Sequence, residues 1–215
     1  MYYLFDLDGT IIDSNGIWVD VDTAFLARRG MPYTQEYADG VAHTIFPLAA
    51  KFTKEYCHIE DSEESIMAEW MDLAGDRYSE TVELKPFTAD YLRKCHESGI
   101  RMSLLSSCVP AHGKAALARH GLTEYFEHLI FAHDIGIEKS DPRIFEEAAK
   151  ICGVSPEDCV LFDDSSRSCL CAKKAGLKTV GVYDKMFCRE EEQLRAECDR
   201  YIMSFEELLN EPLSF

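Results

Sequence analysis

A chain of 215 residues holds one generous domain, or a core carrying a smaller insert. Its 39 acidic residues against 22 Lys and Arg leave a net charge of -17, which speaks against nucleic acid or an anionic membrane as partner. No apolar run approaches the ~20 residues that span a bilayer, and the nine scattered cysteines read as reduced thiols of a cytoplasmic protein.

The first element is a short apolar run, Tyr2 to Leu7, read as a buried strand that breaks at Asp8-Gly9-Thr10. Asp6 and Asp8 interrupt it, and no basic segment precedes it, so it is not a secretion signal. From Asn15 to Tyr78 the pattern turns helical. Ile17, Val21, Ala24 and Phe25 share a face up to Gly30 and Pro32, and 45–56 and 65–78 read as further helices. With no convincing strand in it, this stretch reads as an all-helical insert.

After Pro86 helices and strands alternate. Helices are expected at 88–97, 111–120, 141–152 and 167–175, each with a glycine just beyond its end. The strands between and after them fall at 100–105, 128–132, 159–162 and 178–182. A last short strand at 201–203 precedes a C-terminal helix from Phe205. This rhythm predicts an α/β fold with a doubly wound parallel sheet, Rossmann-like, covered on both faces. The expected division is a core of 1–14 with 85–215, and a helical cap of 15–84.

Ligands of doubly wound sheets bind at the carboxyl ends of the strands. That rule gathers Asp6 and Asp8 after the first strand, Ser106-Ser107 after the second and Asp163-Asp164 after the fourth, with Lys139 in the loop after the third. Each has a dull reading alone: Asp-x-Asp-Gly also makes turns, and serine and aspartate also cap helices. Together they supply what phosphoryl transfer needs. A carboxylate can accept the phosphoryl group and a second can move the proton of the leaving alcohol. Hard oxygen ligands from Asp6, Asp163 and Asp164 suit Mg²⁺, while Ser106, Ser107 and Lys139 can hold the phosphate.

These residues resemble the signatures of the haloacid dehalogenase superfamily. The resemblance lies in Phe5-Asp6-Leu7-Asp8-Gly9-Thr10-Ile11-Ile12-Asp13-Ser14, in Leu104-Leu105-Ser106, in the stretch from Lys139 to Phe145, and in Leu161-Phe162-Asp163-Asp164-Ser165. It implies Asp6 as nucleophile, Asp8 as acid and base, and Mg²⁺ held by Asp6, the Asp8 carbonyl and the acidic pair. It also implies a cap that closes over the site, on hinges at Asp13-Ser14 and Lys85-Pro86-Phe87. Two positions depart from the family pattern: Phe87, where many relatives carry Gly, and Ser168, where some carry another acid. Trp18, His43, Phe46 and Lys51 are cap residues considered for specificity.

The function expected is a Mg²⁺-dependent phosphatase acting on a small phosphorylated metabolite, as a monomer or small homo-oligomer. The alternatives are a mutase of the β-phosphoglucomutase type, a phosphonate hydrolase using Lys51, or a non-catalytic binding protein. A signalling receiver domain is set aside by chain order, because here Asp-x-Asp comes first and the acidic pair last.

Overall fold

Strand β1 (Tyr2–Phe5) is buried on both faces, as a central strand of a parallel sheet must be. In the computed structural model, which describes residues 1–41 and 46–213, the chain divides into two compact units. Unit 1 comprises Met1–Asn15 and Val82–Phe215, and unit 2 comprises Gly16–Thr81. The expectation for His43 lies outside the described residues.

Unit 2 contains α1 (Ile17–Arg28), α2 (Gln35–Val41), α3 (Phe46–Cys57) and α4 (Glu63–Glu80). Ile17, Val21 and Phe25 are buried at four-residue spacing on α1, and the Phe25 ring meets Trp70 of α4 at 5.7 Å. Ser62 caps α4 by accepting from the Ser65 amide at 3.2 Å. Helix α2 had no sequence signal. It is seven residues long and interrupted by Gly40, so it depends on tertiary contacts. Buried Tyr37 supplies them, its hydroxyl 2.9 Å from Thr53 Oγ1 and donating to Asp22 at 3.1 Å.

Unit 1 continues with α5 (Thr88–Glu97), β2 (Arg101–Ser106), α6 (Pro110–Arg119), β3 (His128–Phe131), α7 (Ala132–Ile135), α8 (Arg143–Cys152) and β4 (Cys159–Asp163). It closes with α9 (Ser166–Lys174), β5 (Lys178–Val182), α10 (Glu191–Glu197), β6 (Arg200–Ile202) and α11 (Glu206–Leu209). All strand pairs are parallel, in the order β3-β2-β1-β4-β5-β6. The expected doubly wound α/β sheet is therefore present, and its topological switch lies at β1, between β2 and β4. Phe5 stacks on Phe162 of β4 at 4.5 Å, locking the two strands that deliver most of the acids.

Helix boundaries move by one or two residues from the expected ones. Helix α8 starts at Arg143 rather than Asp141 because the Asp141 carboxylate accepts from the Arg143 amide at 3.0 Å, ahead of the first turn. Phe87 holds a left-handed conformation, φ 63°, just before α5. The backbone that suits glycine is thus kept there by a bulky residue.

Candidate active site

The ladder between β1 and β4 extends one residue past the strand, the Asp6 amide donating to the Phe162 carbonyl at 2.9 Å. This fixes Asp6 beside Asp163, the last residue of β4. The chain then turns tightly, Ile11 and Ile12 both donating to the Leu7 carbonyl. Gly9 (φ 76°) lies so close to Asp164 and Asn15 that a β-carbon there would overlap both side chains. Asp8 sits half-buried on this turn and accepts from Ser14 Oγ at 2.6 Å.

Asp6, Asp163 and Asp164 are all buried, and each offers an oxygen within 4.8 Å of the others. One cation is inserted among them. Lys139 Nζ lies 2.5 Å from Asp6 Oδ1 and 2.7 Å from Asp163 Oδ2, and it donates to the Leu105 carbonyl at 3.3 Å. Asp163 also accepts from Ser168 Oγ at 2.6 Å and from the Ser165 amide at 2.9 Å. Ser168 is therefore a donor to the cluster. Asn15 donates to Asp164 at 2.8 Å.

The electrostatics follow from burying three carboxylates around one ammonium. Burial pushes Asp6 up to about 7; Asp163 and Asp8 add to this and Lys139 opposes it. Asp164 is held well above the ordinary range by burial, Asp6 and Asp163. For Lys139, burial works against the charged form, but Asp163 and Asp6 outweigh it and keep the ammonium above its usual range. The cluster is thus short of positive charge. Its donors are hard oxygens, the set that suits Mg²⁺, so the residues present fit that ion.

Ser106 is fully buried at the end of β2, its Oγ accepting from the Cys108 amide at 3.1 Å. Ser107, named with it, is exposed on the following loop. The sequence reading missed Asn15, Asp184 and the contacts of Lys85. Lys85 Nζ reaches the Gly9 carbonyl at 2.5 Å, the Tyr183 carbonyl at 2.5 Å and Asp184 Oδ2 at 2.9 Å. Asp184 follows β5 at its carboxyl end, where the strand-end rule would have found it. Nothing in the spacing of Lys85 or Asn15 marks them.

Fold and site define a doubly wound α/β enzyme with a buried acid cluster at its switch point. A family model for haloacid dehalogenase-like hydrolases matches residues 3–182. The chain belongs to that family. It is 27% identical over 185 residues to phosphoglycolate phosphatase 1 of Pseudomonas aeruginosa, covering 83% of this chain and 68% of that one. It is 24% identical over 177 residues to the phosphorylated carbohydrates phosphatase of Thermotoga maritima, covering 82% of each. Among solved structures, CbbY from Rhodobacter sphaeroides in complex with phosphate shares the fold. The TM-score is 0.77 at 22% identity, over 96% of this chain and 95% of that one.

Proposed function

We propose that the protein is a Mg²⁺-dependent phosphatase of small phosphorylated metabolites, working through a phosphoryl group carried on Asp6. The observation that carries the reading is the buried cluster in which Lys139 bridges Asp6 and Asp163. Asp6 attacks phosphorus through a carboxylate oxygen while the bond to the alcohol oxygen breaks, and Asp8 gives that oxygen its proton. Asp8 then takes a proton from the water that attacks the aspartyl phosphate, which releases phosphate and restores Asp6. Ser106 and Lys139 hold the phosphate oxygens, and Ser14 orients Asp8 through its 2.6 Å bond. Asp6, the Asp8 carbonyl, Asp163 and Asp164 would hold Mg²⁺, which when bound supplies charge neutralisation at the phosphate.

The relatives named phosphoglycolate and phosphorylated carbohydrates phosphatases support a small phosphorylated substrate. In the same reading, 1–14 with 85–215 form the catalytic core and 15–84 the cap. A mutase cap must hold the second phosphate of a bisphosphate, but Gly16–Thr81 carries thirteen Asp and Glu against five Lys and Arg, which favours hydrolysis. Asp6→Asn should cut Mg²⁺-dependent phosphate release by at least about a thousandfold while the protein still melts cooperatively, at a temperature no lower than metal-free wild type. Asp8→Asn should slow alkyl esters by about 10²–10⁴ and an aryl ester with a good leaving group far less. Substantial turnover by Asp6→Asn, contamination excluded, would sink the reading.

A further inference from the structure

Unit 2 contains a cleft of about 230 Å³ lined by Trp18, Asp22, Val41, Phe46, Ala49 and Trp70. Three of its walls are aromatic and in mutual contact: Trp18 meets Phe46 edge-on at 5.5 Å, and Phe46 meets Trp70 at 5.4 Å. Trp18 stands at the rim with 38% of its surface exposed, while Trp70 is buried. Asp22 lies one helical turn after Trp18 on α1, which puts both side chains on one face.

We propose that this cleft is a binding site for an organic ammonium group, carried by a phosphorylated substrate or by a free amine. Asp22 is a half-buried carboxylate for which no Lys, Arg or His among the described residues forms an ion pair. It accepts a hydrogen bond from the Tyr37 hydroxyl at 3.1 Å. Burial pushes its carboxyl up to about 6, against that bond, so it is still ionised at neutral pH, with no cation paired to it among the described residues. Such a group in the core of a small helical unit costs stability, and a ligand cation would offset the cost.

Aromatic faces beside a carboxylate are the chemistry that recognises a bulky, weakly hydrated cation, because ring quadrupole and carboxylate attract the same charge. The surrounding unit agrees. With thirteen acids against five bases, Gly16–Thr81 repels a second anionic group and attracts a cationic one. An inorganic cation would gain little from three aromatic side chains, and a neutral apolar group would leave Asp22 unmatched.

The chain has two tryptophans, and both line this cleft, so intrinsic fluorescence reports its occupancy. The first experiment titrates the protein with choline chloride and with 3,3-dimethylbutan-1-ol, its uncharged isostere, at matched ionic strength. Choline should give a saturable change at least about tenfold tighter than the alcohol, a difference of the size expected for a desolvated cation over aromatic rings. Asp22→Asn, which keeps an acceptor for Tyr37, should erase the difference. Trp18→Phe should leave a Trp70 signal that still saturates. Equal binding of the charged and neutral compounds, no saturable response, or an unaltered preference in Asp22→Asn would each overturn the proposal.

A second arm identifies the source of the cation and rests on the hydrolase reading of the core. It compares kcat/KM for choline phosphate and 3,3-dimethylbutyl phosphate. A preference for the charged ester that disappears in Asp22→Asn assigns the site to the substrate. Choline binding without ester preference assigns it to a free amine. If neither ester is hydrolysed while the fluorescence response holds, the cleft takes a free amine, and the hydrolase reading is judged separately by the Asp6→Asn test.

Discussion

A methyl group on Gly9 would overlap the Asp164 carboxylate and the Asn15 amide that holds it, on backbone with φ of 76°. Gly9→Ala should therefore cost about 1–3 kcal/mol of stability and reduce kcat by more than tenfold, read from melting and steady-state rates. Wild-type values for both would show that the close approach is dispensable. Asp22 makes the opposite prediction. Its folded-state pKa of about 6 lies above the ~3.9 of an unfolded aspartate, so the folded protein holds the extra proton between those values. Stability is then fully present below about pH 4 and is lost as the pH rises through about 6. Asp22→Asn should be more stable than wild type at pH 7, by on the order of 1–3 kcal/mol, and equal to it near pH 4. A variant that melts no higher than wild type at pH 7 contradicts this. At this scale much of the site was legible. Asp6, Asp163 and Asp164 could be gathered because strand ends of a doubly wound sheet converge, whereas Ser107, one residue beyond β2, turned out exposed. Asn15 and Lys85 were illegible, because their roles depend on what a turn brings near them and not on any periodicity.

Lys85 ties its own segment to two others: the turn at Gly9, and the segment just past β5 through the Tyr183 carbonyl and the Asp184 carboxylate. Replacing it with methionine leaves Asp184 buried without its cation, which should cost about 3–5 kcal/mol. Adding Asp184→Asn should recover a large part of that cost, and a double-mutant cycle from urea melts measures the coupling. Strictly additive losses would mean the ion pair does not couple the segments. The elements that the sequence announced share strong local punctuation. Glycines end α5, α6, α8 and α9, and apolar runs mark β1, β2 and β4. Helix α2 lacks both signals and stands on the buried hydroxyl of Tyr37, a contact made with residues 15 and 16 positions away. The one-turn α7 and the polar α10 were silent for the same reason, being too short to show a period.

For the whole molecule, the proposed Mg²⁺ site in the buried acid cluster predicts that stability depends on metal. In its absence Asp6, pushed up to about 7, loses stability as the pH rises from about 4 toward 7. Mg²⁺ at about a hundred times its Kd should add about 2.7 kcal/mol and raise the core's melting temperature by several degrees. Asp163→Asn should abolish most of that gain; an unchanged melting temperature with Mg²⁺ in wild type would refute the metal assignment. One feature of unit 1 bears on how such proteins diversify. The Asp13 amide donates to the Glu83 carbonyl and the Lys85 amide to the Ile11 carbonyl, each at 2.9 Å, so the chain leaves unit 1 and returns to it through adjacent, hydrogen-bonded segments. A segment whose two ends are pinned side by side can change in length or composition at little closure cost to the sheet, since that cost grows only slowly with length. Unit 2 is in that sense a cassette. Recombination at residues 13 and 83 can exchange unit 2 while the strands of unit 1 keep their register, and under the proposed reading of unit 2 as a cap a new specificity would be inherited in one step.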